Sequence, residues 1–467
     1  MKICVLQPDY STSAVDYQNY DPPRDLATLL SGHEVHNIFL NKLTTYKQIK
    51  SLSKKGYAIF VNLCEGYLEW EVPSIDVIYT LELLKLPYTG PSTLLYDPPK
   101  ELMKYVAFCE GVKTPAYVLI ENLEQANTAC KQLQFPMFIK PAKAGDSLGI
   151  DEHSLVHNKQ ELMQKITSVI HEYDELLVEE YIEGREFTVL VMANADGKTS
   201  TALEPVEFIF PEGKKFKTYA LKTSELHTDA NVPVADKMLS AQLKNAAQSI
   251  FKSFNGVGYA RLDFRLNNKN ELYFLEINFT CSVFYKDGYE GSADYILKYD
   301  GIGQQGFLNH IIQEGIARHK RLQNKYSVKR NAISGYGIYA TIPIIDGQII
   351  FEGEEMAQRI VTKNYVDKHW DEAEKENFRR YAYPISKNVF ILWDLDPNKW
   401  APQNHSCDAN TGYIGLNVVA LRNIQEEEEL TLDYAHFLDE HAEPFTCECG
   451  SHNCRRTITG HAGNVVG

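Results

Sequence analysis

Asn404-His405-Ser406-Cys407, taken with Cys447-Glu448-Cys449-Gly450-Ser451-His452-Asn453-Cys454 downstream, groups four cysteines near the C-terminal end of the chain. Four thiolates complete a tetrahedral zinc site and leave no position for a catalytic water. A closed site of this kind staples chain to chain. Cys407, Cys447, Cys449 and Cys454 are therefore expected to tie the tail against the loop carrying Asn404 and His405, with the metal organising a pocket rather than reacting in it. His452 sits inside the cluster, but four cysteines already fill the tetrahedron. Between the two halves runs Glu429-Leu430-Thr431-Leu432-Asp433-Tyr434.

Taken in this order, these motifs resemble a SET methyltransferase domain followed by its post-SET zinc clasp. The resemblance implies a mainly β fold in which S-adenosylmethionine and a target lysine enter from opposite faces and meet in a narrow channel. In-line methyl transfer there depends on alignment. By motif, the backbone of Gly335-Tyr336-Gly337 would contact the methionine part of the cofactor. Asn404 and His405 would hold its amino group and adenine, and Tyr434 would orient the methyl group and the amine. Tyr381 and Tyr383 are candidates for lining the channel. The chain departs from the pattern at Phe351-Glu352-Gly353, where Tyr-x-Gly is common, at Ala401-Pro402-Gln403 before Asn404, and at Leu432, two residues before the tyrosine.

Outward from this end, the remaining chain is too long for one core: 467 residues call for two or three domains. The formal net charge of -15 repels phosphate backbones, which disfavours direct nucleic-acid binding and suits a basic peptide. Nine cysteines, four of them at metal spacing, fit a reducing cytoplasm better than a disulfide framework. The apolar run at the N-terminus is too short for a signal segment and reads as a first strand, and no stretch is long enough to span a membrane.

The first part alternates strands (Ile3 to Leu6, Glu34 to Leu40, Tyr57 to Leu63) with helices (Pro22 to Leu30, Pro73 to Leu86), which predicts a small α/β layer of parallel strands. Short β-rich segments follow at Met137 to Lys140, Leu176 to Tyr181, Glu186 to Met192, Gly258 to Leu266 and Glu271 to Ile277. A helix over Ser240 to Phe254 stops at Asn255-Gly256. A charged helix, Gln304 to Gln323, connects to the C-terminal part, and the pattern changes between Leu322 and Val328. These shifts divide the chain into 1–90, 91–318, a linker 319–326, 327–440 and 441–460.

Arg261-Leu262-Asp263-Phe264 and, a strand later, Glu276-Ile277-Asn278 place oxygen donors on neighbouring strands. Asp263, Glu276 and Asn278 suit magnesium, or manganese, bound to a nucleotide triphosphate. Lys143-Ala144-Gly145-Asp146-Ser147-Leu148-Gly149 reads as a glycine-rich loop whose N–H groups close over phosphates, with Lys104 and Lys140 adding positive charge. Glu179-Glu180-Tyr181-Ile182-Glu183-Gly184-Arg185-Glu186 reads as a hinge in which Glu179 and Glu180 hold adenine and Glu186 the ribose.

These pieces in this order, with Gly90-Pro91-Ser92, resemble the ATP-grasp fold, and within it the D-alanine–D-alanine ligase branch, over roughly residues 1 to 315. The resemblance implies that ATP activates a carboxylate, that an amine attacks it, and that Arg261 stabilises the oxyanion formed. Dimers are common in that branch. The departures lie at the substrate end, where Tyr10-Ser11-Thr12-Ser13-Ala14-Val15 replaces a Ser-x-Glu segment and Thr280-Cys281-Ser282-Val283 replaces a Pro-Gly-Met turn. The expected substrates are amino acids or short peptides other than two D-alanines for this half, and a lysine-bearing protein or peptide for the C-terminal half. The alternative is a protein lysine methyltransferase whose ATP-grasp part selects its target or is a silent interaction module.

Overall fold

In the computed structural model the chain folds as two units, Met1–Leu322 and Gln323–Gly467. The structure describes all residues except 12–20, 66–71, 144–148, 218–229, 324, 332–334, 354–357, 394–402, 440–441, 443 and 461–467. Among the described residues no helix is long and apolar enough to cross a membrane.

The first unit opens with three parallel strands: Lys2–Pro8 in the centre, flanked by Glu34–Leu40 and Ile59–Asn62. The central strand is buried from Ile3 to Pro8, as a parallel strand covered on both faces requires. The helix expected over Pro22 to Leu30 is not formed; one 3-10 turn, Thr28–Leu30, stands there. Its competitor is Gln7, whose side chain accepts from Arg24 N at 2.7 Å and donates to Arg24 O at 3.1 Å. Those bonds hold the backbone at Arg24 against the sheet, so it has no part in an intrahelical ladder. The expected helix at Pro73 to Leu86 is shorter, Ile75–Leu83.

Two further sheets follow. Tyr117–Ile120, Leu176–Glu180, Met137–Pro141 and Leu155–Val156 form an antiparallel four-stranded sheet in that order. In a six-stranded sheet Gly184–Ala193 pairs with Tyr259–Asn267, which pairs in turn with Leu272–Asn278. The helix Lys237–Ser253 covers this sheet with Leu239, Leu243, Ala247 and Ile250, an i, i+4, i+8, i+11 stripe facing one core. Asp236 caps its start by accepting from Met238 N and Leu239 N. Asn255 in the left-handed region, φ 51°, stops it where the sequence predicts.

The second unit is mainly β. Its five-stranded sheet runs Ile349–Phe351, Asn417–Ala420, Thr411–Ile414, Thr431–Leu432, Asn404–His405, over a core containing Ile338, Ile344, Ile350, Ile424 and Leu430. The last two strands are parallel, with Asn404 opposite Thr431 and His405 opposite Leu432. That pairing brings two motifs far apart in sequence side by side. A hairpin of Tyr326–Asn331 and Gly335–Ala340 completes the frame around them.

Candidate active sites

In the first unit Arg261 lies opposite Asn278 and Asp263 opposite Glu276 across antiparallel strands. Side chains alternate along a strand. Leu262, Phe264 and Ile277 therefore enter the core, while Arg261, Asp263, Glu276 and Asn278 share the other face. Arg261 pairs with Asp263 at 3.2 Å, and Asn278 donates to Glu276 at 3.2 Å. Two carboxylates placed directly opposite repel each other. A divalent cation turns that repulsion into attraction, and two carboxylates with an amide oxygen are the donor set it takes.

Near these carboxylates, Glu179 accepts from Lys104 at 2.6 Å and from Lys140 at 2.7 Å and is almost fully buried. Burial alone would raise its carboxyl; Lys104 and Lys140 outweigh it and hold it down at about 2. Burial pulls the Lys104 ammonium down, whereas in Lys140 Glu179 and Glu276 overcome burial and raise it. Glu179 sits within hydrogen-bonding distance of both ammoniums, which favours the charged form of all three groups. Glu179→Gln leaves two buried cations without their shared counter-ion and is expected to destabilise the first unit by about 3–5 kcal/mol. Because the folded carboxyl lies below its ordinary value of 4.5, its contribution is present above pH 4.5 and lost as pH falls toward about 2. Urea unfolding across that range should show a shallower dependence on pH in Glu179→Gln than in the wild type, the difference being the share of this one carboxyl.

Glu186 receives Arg265 through Nη2 at 2.9 Å and Nε at 3.1 Å, and Lys217 at 3.1 Å. Arg265 stacks 4.8 Å from the Tyr181 ring and Lys217 lies 4.4 Å from that of Phe208. Lys140, Glu179, Glu180, Glu186, Asp263 and Glu276 line one half-open cleft of about 660 Å³, with Phe138, Ile150, Tyr181, Phe216 and Leu275 as its apolar wall. Elsewhere in this unit Asp21 receives the hydroxyls of Tyr10 and Tyr285 and pairs with Arg24 at 3.1 Å, and Arg24 donates to Val283 O.

In the second unit the sulfurs of Cys407, Cys447, Cys449 and Cys454 lie within 4.8 Å of one another. A zinc tetrahedron with bonds of about 2.3 Å has edges of roughly 3.8 Å, and Cys407 and Cys447 are 3.8 Å apart. Backbone N–H groups of Cys407, Cys449 and Arg455 point at sulfurs of the cluster at 3.4–3.5 Å, as thiolate charge favours. The four cysteines thus fit a zinc ion. His405 bridges the cluster to Tyr434: its Nδ1 accepts from Tyr434 N at 3.1 Å, which leaves Nε2 to donate to Cys407 Sγ at 3.4 Å. Tyr434 O–H donates to Gln403 O, and burial pushes this hydroxyl up to about 12. Beside it Tyr383, Trp393, Tyr413 and Phe437 form an aromatic wall with ring centroids 4.8–6.4 Å apart.

The family model described as "D-ala D-ala ligase C-terminus" matches residues 107–284, and the SET domain model matches residues 335–435. The D-alanine–D-alanine ligase of Enterococcus hirae is 31% identical over 255 residues, spanning 52% of this chain and 67% of that protein. D-alanine–D-alanine ligase B of Clostridium tetani is 34% identical over 255 residues, 50% of this chain and 67% of its own length. The chain belongs to the D-alanine–D-alanine ligase family and carries a SET domain. The solved D-alanine–D-alanine ligase of Coxiella burnetii aligns with 69% of this chain and 95% of its own, at 18% identity and TM-score 0.50, and shows the shared fold. The architecture is accordingly an ATP-grasp fold followed by a SET fold, with a four-cysteine cluster in the post-SET position.

Within this ligase-like unit, the residues expected at the nucleotide and its metal converge on the cleft with three exceptions, the first being Asn278, which shares the strand face of Asp263 and Glu276 but is not among the cleft's lining. Lys104 is not among its lining and is turned onto Glu179, and Ser147 lies outside the described residues, with 144–148 of its loop. The sequence reading missed Lys100, one turn before Lys104. Burial lowers its ammonium against the opposing pull of Glu276, so it lies near the carboxylate face. It also missed Lys217 and Arg265, which an i, i+2 step beyond Asp263 signals in part. In the SET domain both ring nitrogens of His405 are engaged within the protein, so what it can offer a cofactor is its backbone. Gly335, Tyr336 and Gly337 start the second hairpin strand, with Tyr336 exposed. Phe351 packs 4.6 Å from Tyr326, a core role for the residue that replaces the motif tyrosine. Tyr383 joins the aromatic wall, and Tyr413, unmarked by any motif, joins it as well.

Proposed function

We propose that this chain is a bifunctional enzyme: an ATP-dependent carboxylate–amine ligase in its first unit and an S-adenosylmethionine-dependent lysine N-methyltransferase in its second. The observation that carries the reading is the cleft in which Lys140, Glu179, Glu186, Asp263 and Glu276 face a common space, with Arg261 and Asn278 on the same strand face. ATP, when bound, supplies a phosphoryl group that turns a carboxylate into an acyl donor. Asp263, Glu276 and Asn278 would hold magnesium or manganese, and Lys140 would neutralise phosphate charge. Arg261 would stabilise the oxyanion as the amine attacks. The hinge acids Glu179 and Glu180 would hold the adenine and Glu186 the ribose.

In the second unit Asn404 and the Gly335-Tyr336-Gly337 strand would receive S-adenosylmethionine, which supplies the methyl group. The Tyr434 hydroxyl gives its hydrogen to Gln403 O, so its lone pairs face the remaining space. With its ionisation pushed up to about 12 it stays neutral at pH 7, and it orients the reactants without acting as a base. The aromatic wall desolvates an incoming lysine, which favours the neutral amine that attacks. The closed cysteine site would hold zinc as a structural clasp.

Tyr10, from the segment that replaces the family's Ser-x-Glu, joins Asp21, Arg24 and Tyr285 in one cluster, and this supports amino acids or short peptides other than two D-alanines. Purified protein with ATP, magnesium and a panel of amino-acid and peptide pairs should release ADP with at least one pair. Full turnover with D-alanine alone would overturn the substrate reading, and no ADP release with any pair would overturn ligase activity.

A further inference from the structure

Glu429 is the one acid of the Glu426–Glu429 run that belongs to a motif, and methyl transfer as described gives it no task. We propose that Glu429 is a positioning residue that locks the Asn404 amide so that its carbonyl oxygen faces the cofactor and accepts from the ammonium group of S-adenosylmethionine; this rests on the methyltransferase reading above.

The Asn404 side-chain nitrogen lies 2.8 Å from Tyr336 O and 2.8 Å from Glu429 Oε1. A carbonyl and a carboxylate only accept. The atom between them must therefore be the amide nitrogen, and both of its hydrogens are used. What Asn404 retains for a ligand is Oδ1, an acceptor. The methionine part of the cofactor carries one strong donor, its ammonium, and one strong acceptor, its carboxylate. With the amide locked this way Asn404 meets the first and repels the second.

Glu429 is itself held from three sides. Asn331 donates to both carboxylate oxygens at 3.0 Å. Asn410 donates to Glu429 O at 2.8 Å and accepts from Thr431 N at 2.9 Å, which fixes the backbone on which the acid sits. Gly337 supplies the third constraint. A Cβ built there would stand 2.3 Å from Glu429 Oε1. Its backbone is outside the left-handed region, so a glycine is needed at this position to make room for the carboxylate and not for its conformational freedom. Gly337, Glu429 and Asn404 therefore form one arrangement in which each residue sets the place of the next.

The test is equilibrium binding, by titration calorimetry on the full chain, of S-adenosylmethionine and of an analogue lacking the α-amino group. Wild type should bind the cofactor at least about tenfold more tightly than the analogue. Glu429→Ala should lose about tenfold in affinity for the cofactor and leave the analogue unchanged, and Glu429→Ala with Asn404→Ala should be no weaker than Asn404→Ala alone. Glu429→Gln keeps the volume while exchanging one acceptor oxygen for a donor, and should show the same loss of preference at an unchanged melting temperature. An equal loss for both ligands, or no loss for either, would overturn the positioning role while leaving methyl transfer standing. Wild type that binds neither ligand would overturn the methyltransferase reading and this inference with it.

Discussion

Asp263→Asn is expected to lower ATP-dependent ADP formation by at least about 100-fold while leaving the metal-free protein about as stable as wild type. The two effects have one cause. Asp263 faces Glu276 across the strand pair, and the Arg261 guanidinium, 3.2 Å from Asp263, offsets only part of the repulsion between the two carboxylates until a divalent cation joins them. Asparagine removes one of those charges without changing the shape, which relieves repulsion in the empty site and weakens the donor set for magnesium. A bound metal contributes several kcal/mol to stabilising the transferring phosphoryl group, and each 1.36 kcal/mol is about tenfold in rate. Arg261, which pairs with Asp263 at 3.2 Å, would keep a neutral partner. The check is ADP release at saturating ATP alongside a thermal melt in chelator. A variant that melts well below wild type would mean that Asp263 is a structural ion-pair partner, and unchanged ADP release would remove it from the metal site.

Cys447→Ser is expected to abolish methyl transfer, to drop zinc content from about one per chain to near none, and to leave ADP formation unchanged. Structural zinc binding contributes roughly 10–16 kcal/mol in small zinc-dependent folds, far more than the packing around this cluster can replace. Cys447 is buried with Ala435 and Ile458, and Tyr434 and Phe445 pack against the same group. His405 adds a direct link, one ring nitrogen on Cys407 and the other on the Tyr434 backbone. Loss of the metal thus frees both the tail and the tyrosine. Zinc released on thiol titration, measured beside label incorporation from methyl-labelled cofactor, checks all three parts.

Much of both sites was legible because it rests on short-range rules. Arg261-Leu262-Asp263 and Glu276-Ile277-Asn278 alternate polar and apolar, and a strand reads that alternation out as two faces. Cysteines two and five residues apart form half of a metal site in any fold that brings a fourth partner near. The helix mistakenly expected at Pro22 to Leu30 fails for a reason no local window contains: Gln7, on another strand, takes the backbone of Arg24. Lys100 and Lys104 lie one turn apart on one helix, Lys100–Cys109, and spacing alone does not say which approaches the carboxylate face. Tyr413 reaches the aromatic wall, and Glu429 reaches Asn404, through strand pairings set by sheet register. Lys217 meets Glu186 across segments that share no motif.

The most direct test of two working sites on one chain is to measure both activities on three full-length proteins: wild type, Lys140→Ala and Tyr434→Phe. ADP release with an accepted substrate pair reports the first site, and transfer of label from methyl-labelled S-adenosylmethionine to a lysine-bearing peptide or protein reports the second. Lys140→Ala should lose ADP release and keep methyl transfer, and Tyr434→Phe should do the reverse. Loss of both activities in either variant, or absence of one activity from wild type under all conditions, would contradict a bifunctional enzyme with two independent sites.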